Sequence, residues 1–184
     1  MIKIFKILII CTVLISCSLS NAVTREINKN FNWKYPEIKE YSRTRYQEKL
    51  RKRVISEFLR DFKNENGKLY IIERFQNRGG HHVASKYQTV MNYFWQNNKL
   101  IEVYHVDDRN KLEAKNEQYW GTAHVLPTLK FIQEKLNLNQ IDSIEIESKN
   151  IKNQFSHPGE FFITELNEEL NVINVVKCIE FRID

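Results

Sequence analysis

The sequence predicts an α+β domain. The expected order is an N-terminal helix, a three-stranded antiparallel meander, a broken helix and a second three-stranded segment. Its helices would pack on a mainly antiparallel sheet. Three observations carry this. Apolar residues between 41 and 64 recur at helical spacing. Those of 69–106 and 161–181 fall in short aromatic and β-branched runs between turn residues. The strands also come in runs instead of alternating with helices, which favours α+β over a parallel sheet.

The helix is the clearest element. Tyr46, Leu50, Val54 and Phe58 recur every fourth residue, and Ile55, Leu59 and Phe62 widen the stripe. Asn66-Gly67 supplies a stop. Leu69–Phe75, Tyr87–Trp95 and Leu100–Val106 read as the meander. Gln96-Asn97-Asn98-Lys99 forms its tight turn, because Asn tolerates positive φ. Residues 110–137 read as helix interrupted by Gly121 and Pro127. Pro127 opens a second piece with Leu129, Ile132 and Leu136 on one side. Ile144-Glu145-Ile146-Glu147 alternates as a half-exposed strand. Phe161–Leu166 and Leu170–Phe181 flank Asn167-Glu168-Glu169 as a hairpin.

The first stretch of the chain reads as an address. Lys3 and Lys6 make a short positive region, and Ile7 to Ile15 is apolar apart from Thr12. Nine residues at about 1.5 Å each fall short of a bilayer core of about 30 Å, so the run fits a signal peptide better than a transmembrane helix. Leu14-Ile15-Ser16-Cys17 resembles the lipobox of bacterial lipoproteins. That resemblance implies a signal peptide of residues 1–16 and a lipid on Cys17, which becomes the mature N-terminus. It also implies an exported, lipid-anchored protein of the cell envelope, at the outer membrane in a Gram-negative host. Ser20-Asn21-Ala22 is a second cleavage reading, which would give a soluble periplasmic or secreted chain. Residues 17–40 read as a polar tether, with Phe31, Trp33 and Tyr35 alternating as a short strand that docks. Residues 41–184 form the globular domain.

After removal of the signal about 165 residues remain, enough for one self-supporting core. Cys178 is then the one cysteine besides the lipid acceptor. A disulfide scaffold is excluded, and an apolar, β-branched setting marks Cys178 as a core residue.

The net charge of +5 is unevenly spread. Residues 41–63 hold eight basic residues against Glu48, Glu57 and Asp61. Arg43, Arg45, Lys49, Arg51, Lys52 and Arg53 suit an anionic membrane surface beside the anchor, or simply a solvated helix face. Export argues against nucleic acid as a partner.

Candidate chemistry is sparse. His105 and Asp107 share a strand face, as a metal pair or a His-carboxylate couple of an envelope hydrolase would. His81, His82, His124 and His157 have no metal-site spacing among them. Glu145 and Glu147 would share a face as paired carboxylates, or point to solvent. Gly79-Gly80 lacks the lysine of a phosphate loop. No cofactor or metal is implied. Tyr93, Trp95 and Tyr104 form a candidate binding patch for a protein or envelope polymer, with core packing as the competing use. The reading that emerges is a non-catalytic, membrane-anchored interaction protein, an immunity protein among the options.

Overall fold

The computed structural model describes residues 19–36, 44–61, 67–75, 91–97, 99–106, 112–115, 126–152 and 159–181. The chain divides into two compact units, residues 1–66 and 67–184. The division between the units falls at Asn66/Gly67, within the expected globular stretch of 41–184.

Among the described residues, the first unit holds two helices. Helix α1 covers residues 19–34, and α2 is Thr44–Asp61. The α1 stretch was expected as a tether. It is helical because Ser20, Val23, Thr24, Ile27 and Phe31 repeat at steps of three and four, and all five are buried. The strand alternation of Phe31, Trp33 and Tyr35 is accordingly absent. The Thr24 hydroxyl donates to the carbonyl of Ser20 at 2.7 Å, so a polar side chain on the buried face is satisfied within the helix. In α2 three members of the predicted stripe, Val54, Ile55 and Phe58, are buried, and the side chains of Tyr46, Leu50, Leu59 and Phe62 lie outside the described ones.

The second unit is α+β, and its described residues build a six-stranded antiparallel sheet. Its strands are β1 (Leu69–Phe75), β2 (Met91–Gln96), β3 (Lys99–Val106), β4 (Leu112–Lys115), β5 (Glu160–Leu166) and β6 (Val172–Ile179), in the order β4-β3-β2-β1-β5-β6. Between β4 and β5 come α3 (Leu126–Asn137), a 3₁₀ turn (Ile141–Ser143) and α4 (Ile144–Asn150). Strand β1 joins the two hairpin systems. It pairs with β2 through Leu69↔Gln96 to Glu73↔Asn92, and with β5 through Leu69↔Leu166 to Phe75↔Glu160.

Both hairpins follow their turn chemistry. Asn97 sits at φ 49° between β2 and β3. Gly67 adopts φ 121°, a conformation that suits glycine, and an added Cβ would meet Oδ1 of Asn97 at 2.5 Å. In the β5–β6 turn, Asn167 Oδ1 accepts the amides of Glu169 (3.0 Å) and Asn171 (2.8 Å), and Leu170 takes φ 62°.

Two expected elements differ. Leu112–Lys115, expected as helix, is a strand in register with β3 (Val106↔Leu112 to Val103↔Lys115). Its residues are fair helix formers, and pairing with an existing strand outweighs that weak preference. Ile144–Glu147, expected as strand, is the start of α4. Ile141, Ile144 and Ser148 are buried at steps of three and four, whereas Ile146 is 67% exposed. The helical period was present but masked by the local alternation. The expected second three-stranded segment is therefore the β5–β6 hairpin, and the meander has four strands.

Helix α3 covers one sheet face. Leu129, Ile132 and Leu136 meet Tyr70, Ile72, Tyr93, Trp95, Phe161, Ile163, Val176 and Cys178 in one core, which Ile141, Ile144 and Phe181 complete. Pro127 falls in the first turn, where no intrahelical amide partner is required. Asn139 ends the helix at φ 55°, with Gln140 N–H to Lys135 O (2.8 Å) and Asn139 N–H to Leu136 O (3.1 Å) forming a Schellman cap. The opposite sheet face is buried as well, at Leu69, Ile71, Phe94, Phe162, Thr164, Leu166 and Val175.

Candidate functional site

Cys17, Arg43, His81, His82, Asp107, His124 and His157 lie outside the described residues. His105 stands in β3, in register with Met91 on one side and Glu113 on the other.

The basic face of α2 separates into two kinds of residue. Arg45 belongs to the helix, and Lys49, Lys52 and Arg53 are exposed. Arg51 is not a surface group: it is 3% exposed. Its guanidinium stacks over the Phe31 ring with its centre 4.3 Å from the centroid, and it donates to the Asn28 side chain. A planar, weakly hydrated cation can be buried against an aromatic face in this way. Arg51 therefore ties α2 to α1 and does not serve a membrane surface.

The expected aromatic patch is likewise dissolved. Tyr93 and Trp95 are in the core under α3, at 0% and 3% exposure. The register sets Tyr93 opposite Val103 and Tyr104 opposite Asn92, so Tyr104 occupies a different row. Alternation along β2 identified which residues share a face. It did not say that α3 covers that face.

Of the carboxylates singled out in the sequence, Glu145 and Glu147 are each held by a cation. Glu145 and Glu147, two apart on a helix, diverge instead of sharing a strand face. Lys149 Nζ lies 2.9 Å from Glu145, and Lys135 Nζ lies 2.6 Å from Glu147. The Lys135 ammonium, with the Ser143 hydroxyl, keeps the Glu147 carboxyl below its usual range. Glu160 has Lys177 at 3.6 Å. Glu165 has Lys68 Nζ at 2.6 Å and receives the Tyr70 hydroxyl at 3.4 Å.

Arg74–Glu180 is an enclosed ion pair, its side chains 11% and 2% exposed. The guanidinium donates from Nε (3.2 Å to Oε2) and from Nη2 (3.1 Å to Oε1, 2.8 Å to Oε2), and the Gly159 amide adds a bond at 3.1 Å. None of this was legible as a site, because Arg74 and Glu180 are 106 residues apart in the chain. Among the described residues, no group of three or more His, Cys, Asp or Glu side chains is placed to hold a metal ion.

Two buried acids titrate late. Burial pushes the Cys178 thiol up to about 12, with the Ser148 hydroxyl opposing weakly. Burial, then the neighbouring Glu165 carboxylate, pushes the Tyr70 hydroxyl up to about 12. Both groups hold their proton more tightly in the folded chain than at their ordinary values of 9.0 and 10.0. Their contribution to stability is whole below those values and is lost as pH rises through 12. The urea midpoint is expected to fall progressively between about pH 9 and 12. In Cys17→Ser protein, Cys178 is expected to react with a disulfide reagent only on unfolding. A flat midpoint across that window, or rapid labelling of the native chain, would contradict the burial of these groups.

No family model, curated protein or solved structure matches the chain.

Proposed function

We propose that the chain is a lipoprotein of the bacterial cell envelope, tethered through a lipid on Cys17, whose folded part binds a protein or envelope polymer without catalysis. The observation that carries this is Leu14-Ile15-Ser16-Cys17, placed directly after a positive and then an apolar stretch. An acylated cysteine gives firm anchoring once two or more chains are attached. No helix among the described residues is long and apolar enough to cross a membrane.

The non-catalytic half of the reading draws on how the carboxylates are used. Glu145, Glu147, Glu165 and Glu180 each face a lysine or arginine within 3 Å. The Glu145 pair lies within α4 and the other three link separate parts of the chain, and all four leave these groups poorly suited to proton transfer.

The test is to express the precursor in a bacterium fed radiolabelled fatty acid, beside Cys17→Ala, and to follow label and membrane fractionation. Label on the wild type and none on the variant is the expected result. An unlabelled wild type whose mature chain begins at Val23 would overturn the anchor and make the protein soluble after export.

A further inference from the structure

We propose that α1 is a membrane-contact helix, whose outward face lies on the anionic lipid surface to which Cys17 tethers the chain. The placement rests on the Cys17 anchor; the surface itself is argued from the helix. Residues 19–34 bury Val23, Ile27 and Phe31 on one side. At 100° per residue the other side gathers Leu19, Ala22, Arg25, Glu26, Lys29 and Trp33, all exposed. Trp33 is 82% exposed and Leu19 40%. A solvent-facing Trp of this degree is unusual on a soluble surface. It is the side chain that membrane interfaces favour, because its apolar body and N–H match the headgroup layer. Arg25 and Lys29 stand four residues apart in line with it, at i, i+4 and i+8.

Charge and position agree. Among the described residues of the first unit, the exposed charged side chains are Arg25, Lys29, Lys34, Lys49, Lys52 and Arg53 against Glu26 alone. With Glu48 and Glu57 half-exposed, the surface is still mainly positive, which complements anionic headgroups. Leu19 follows Cys17 by two positions, a reach of about 7 Å at most. The lipid would therefore hold the start of α1 at the bilayer. Lying flat, the helix would carry Trp33 about 21 Å along the surface from Leu19. This makes α1, and not the α2 residue Arg51, the element that faces the membrane.

The experiment uses the mature chain with Cys17→Ser, so that no acyl chain assists binding. It is floated with vesicles of phosphatidylglycerol and phosphatidylethanolamine in equal parts, and with phosphatidylcholine vesicles. Binding to the anionic vesicles that fades at high salt is expected. Arg25→Gln and Lys29→Gln should each weaken it about fivefold. Trp33→Ala should weaken it at least about tenfold, by returning aromatic surface to water. All three positions are exposed, so circular dichroism should match the parent. Failure of the Cys17→Ser chain to float, or equal flotation by the three variants, overturns the proposal. So does a dimer that forms without vesicles and is dissolved by Trp33→Ala, since the face then binds a second copy. Fatty-acid labelling of the precursor reads the anchor separately, so either reading can fail alone.

Discussion

Glu180→Ala is expected to destabilise the mature chain by about 3–5 kcal/mol, the cost of breaking an enclosed ion pair by removing one partner. The Glu180 side chain is 2% exposed and that of Arg74 11%. Removing the carboxylate leaves the guanidinium without its three donor contacts and the Gly159 amide without its acceptor. Replacing Arg74 and Glu180 together by Met and Leu should recover much of the loss, since no orphaned charge then remains. Urea denaturation of the three chains measures both effects. A loss under about 1 kcal/mol for Glu180→Ala would mean that the pair is solvated, as surface pairs of that worth are.

The second large effect is expected at Thr128. Its hydroxyl accepts the Phe181 amide at 3.0 Å and donates to the Phe181 carbonyl at 3.2 Å, and the residue is fully buried. One side chain thus satisfies both backbone groups of a residue that has just left β6. The clamp also fixes the Phe181 ring edge-on against Phe131 at 5.5 Å. Thr128→Val keeps the shape and strands two buried polar groups, at about 1–3 kcal/mol for each. We expect a loss of about 2–6 kcal/mol in the same denaturation experiment. Thr128→Ser, which retains the hydroxyl, should cost clearly less. Equal losses from Val and Ser would show that the methyl group matters and the clamp does not.

Elements whose cause is local could be read from the sequence. The α2 stripe repeats over several turns, Pro127 and Leu129, Ile132 and Leu136 define α3, and Asn97 and Asn167 announce their turns by side-chain chemistry. Elements whose cause is distant could not. β4 is a strand because β3 is beside it. α4 hides its period, since Ile144 and Ile146 alternate while only Ile144 enters the core. The same division runs through the candidate site residues. Lys49, Lys52 and Arg53 are exposed, as a charged run suggests, yet Arg51 within that run is buried on Phe31 and Asn28. To foresee that, one must first know that residues 19–34 are a helix. Tyr93 and Trp95 were rightly placed on one strand face, but whether that face met solvent or α3 depended on residues more than 30 positions away.

The pairing of β1 with β5 sets an order of events. Tyr70 and Glu165 face each other across those strands, 95 residues apart. Synthesis runs from the N-terminus, so the four strands β1 to β4 are complete long before β5 exists. Through that interval β1 is an edge strand, with a row of amides and carbonyls awaiting partners and Leu69, Ile71 and Ile72 among its side chains. Closing a loop of this length costs entropy that β pairing repays only at the end, which makes the step slow. An incomplete chain is thus open to sheet extension by any other strand, and the β5–β6 hairpin, arriving last, is the segment that ends this exposure.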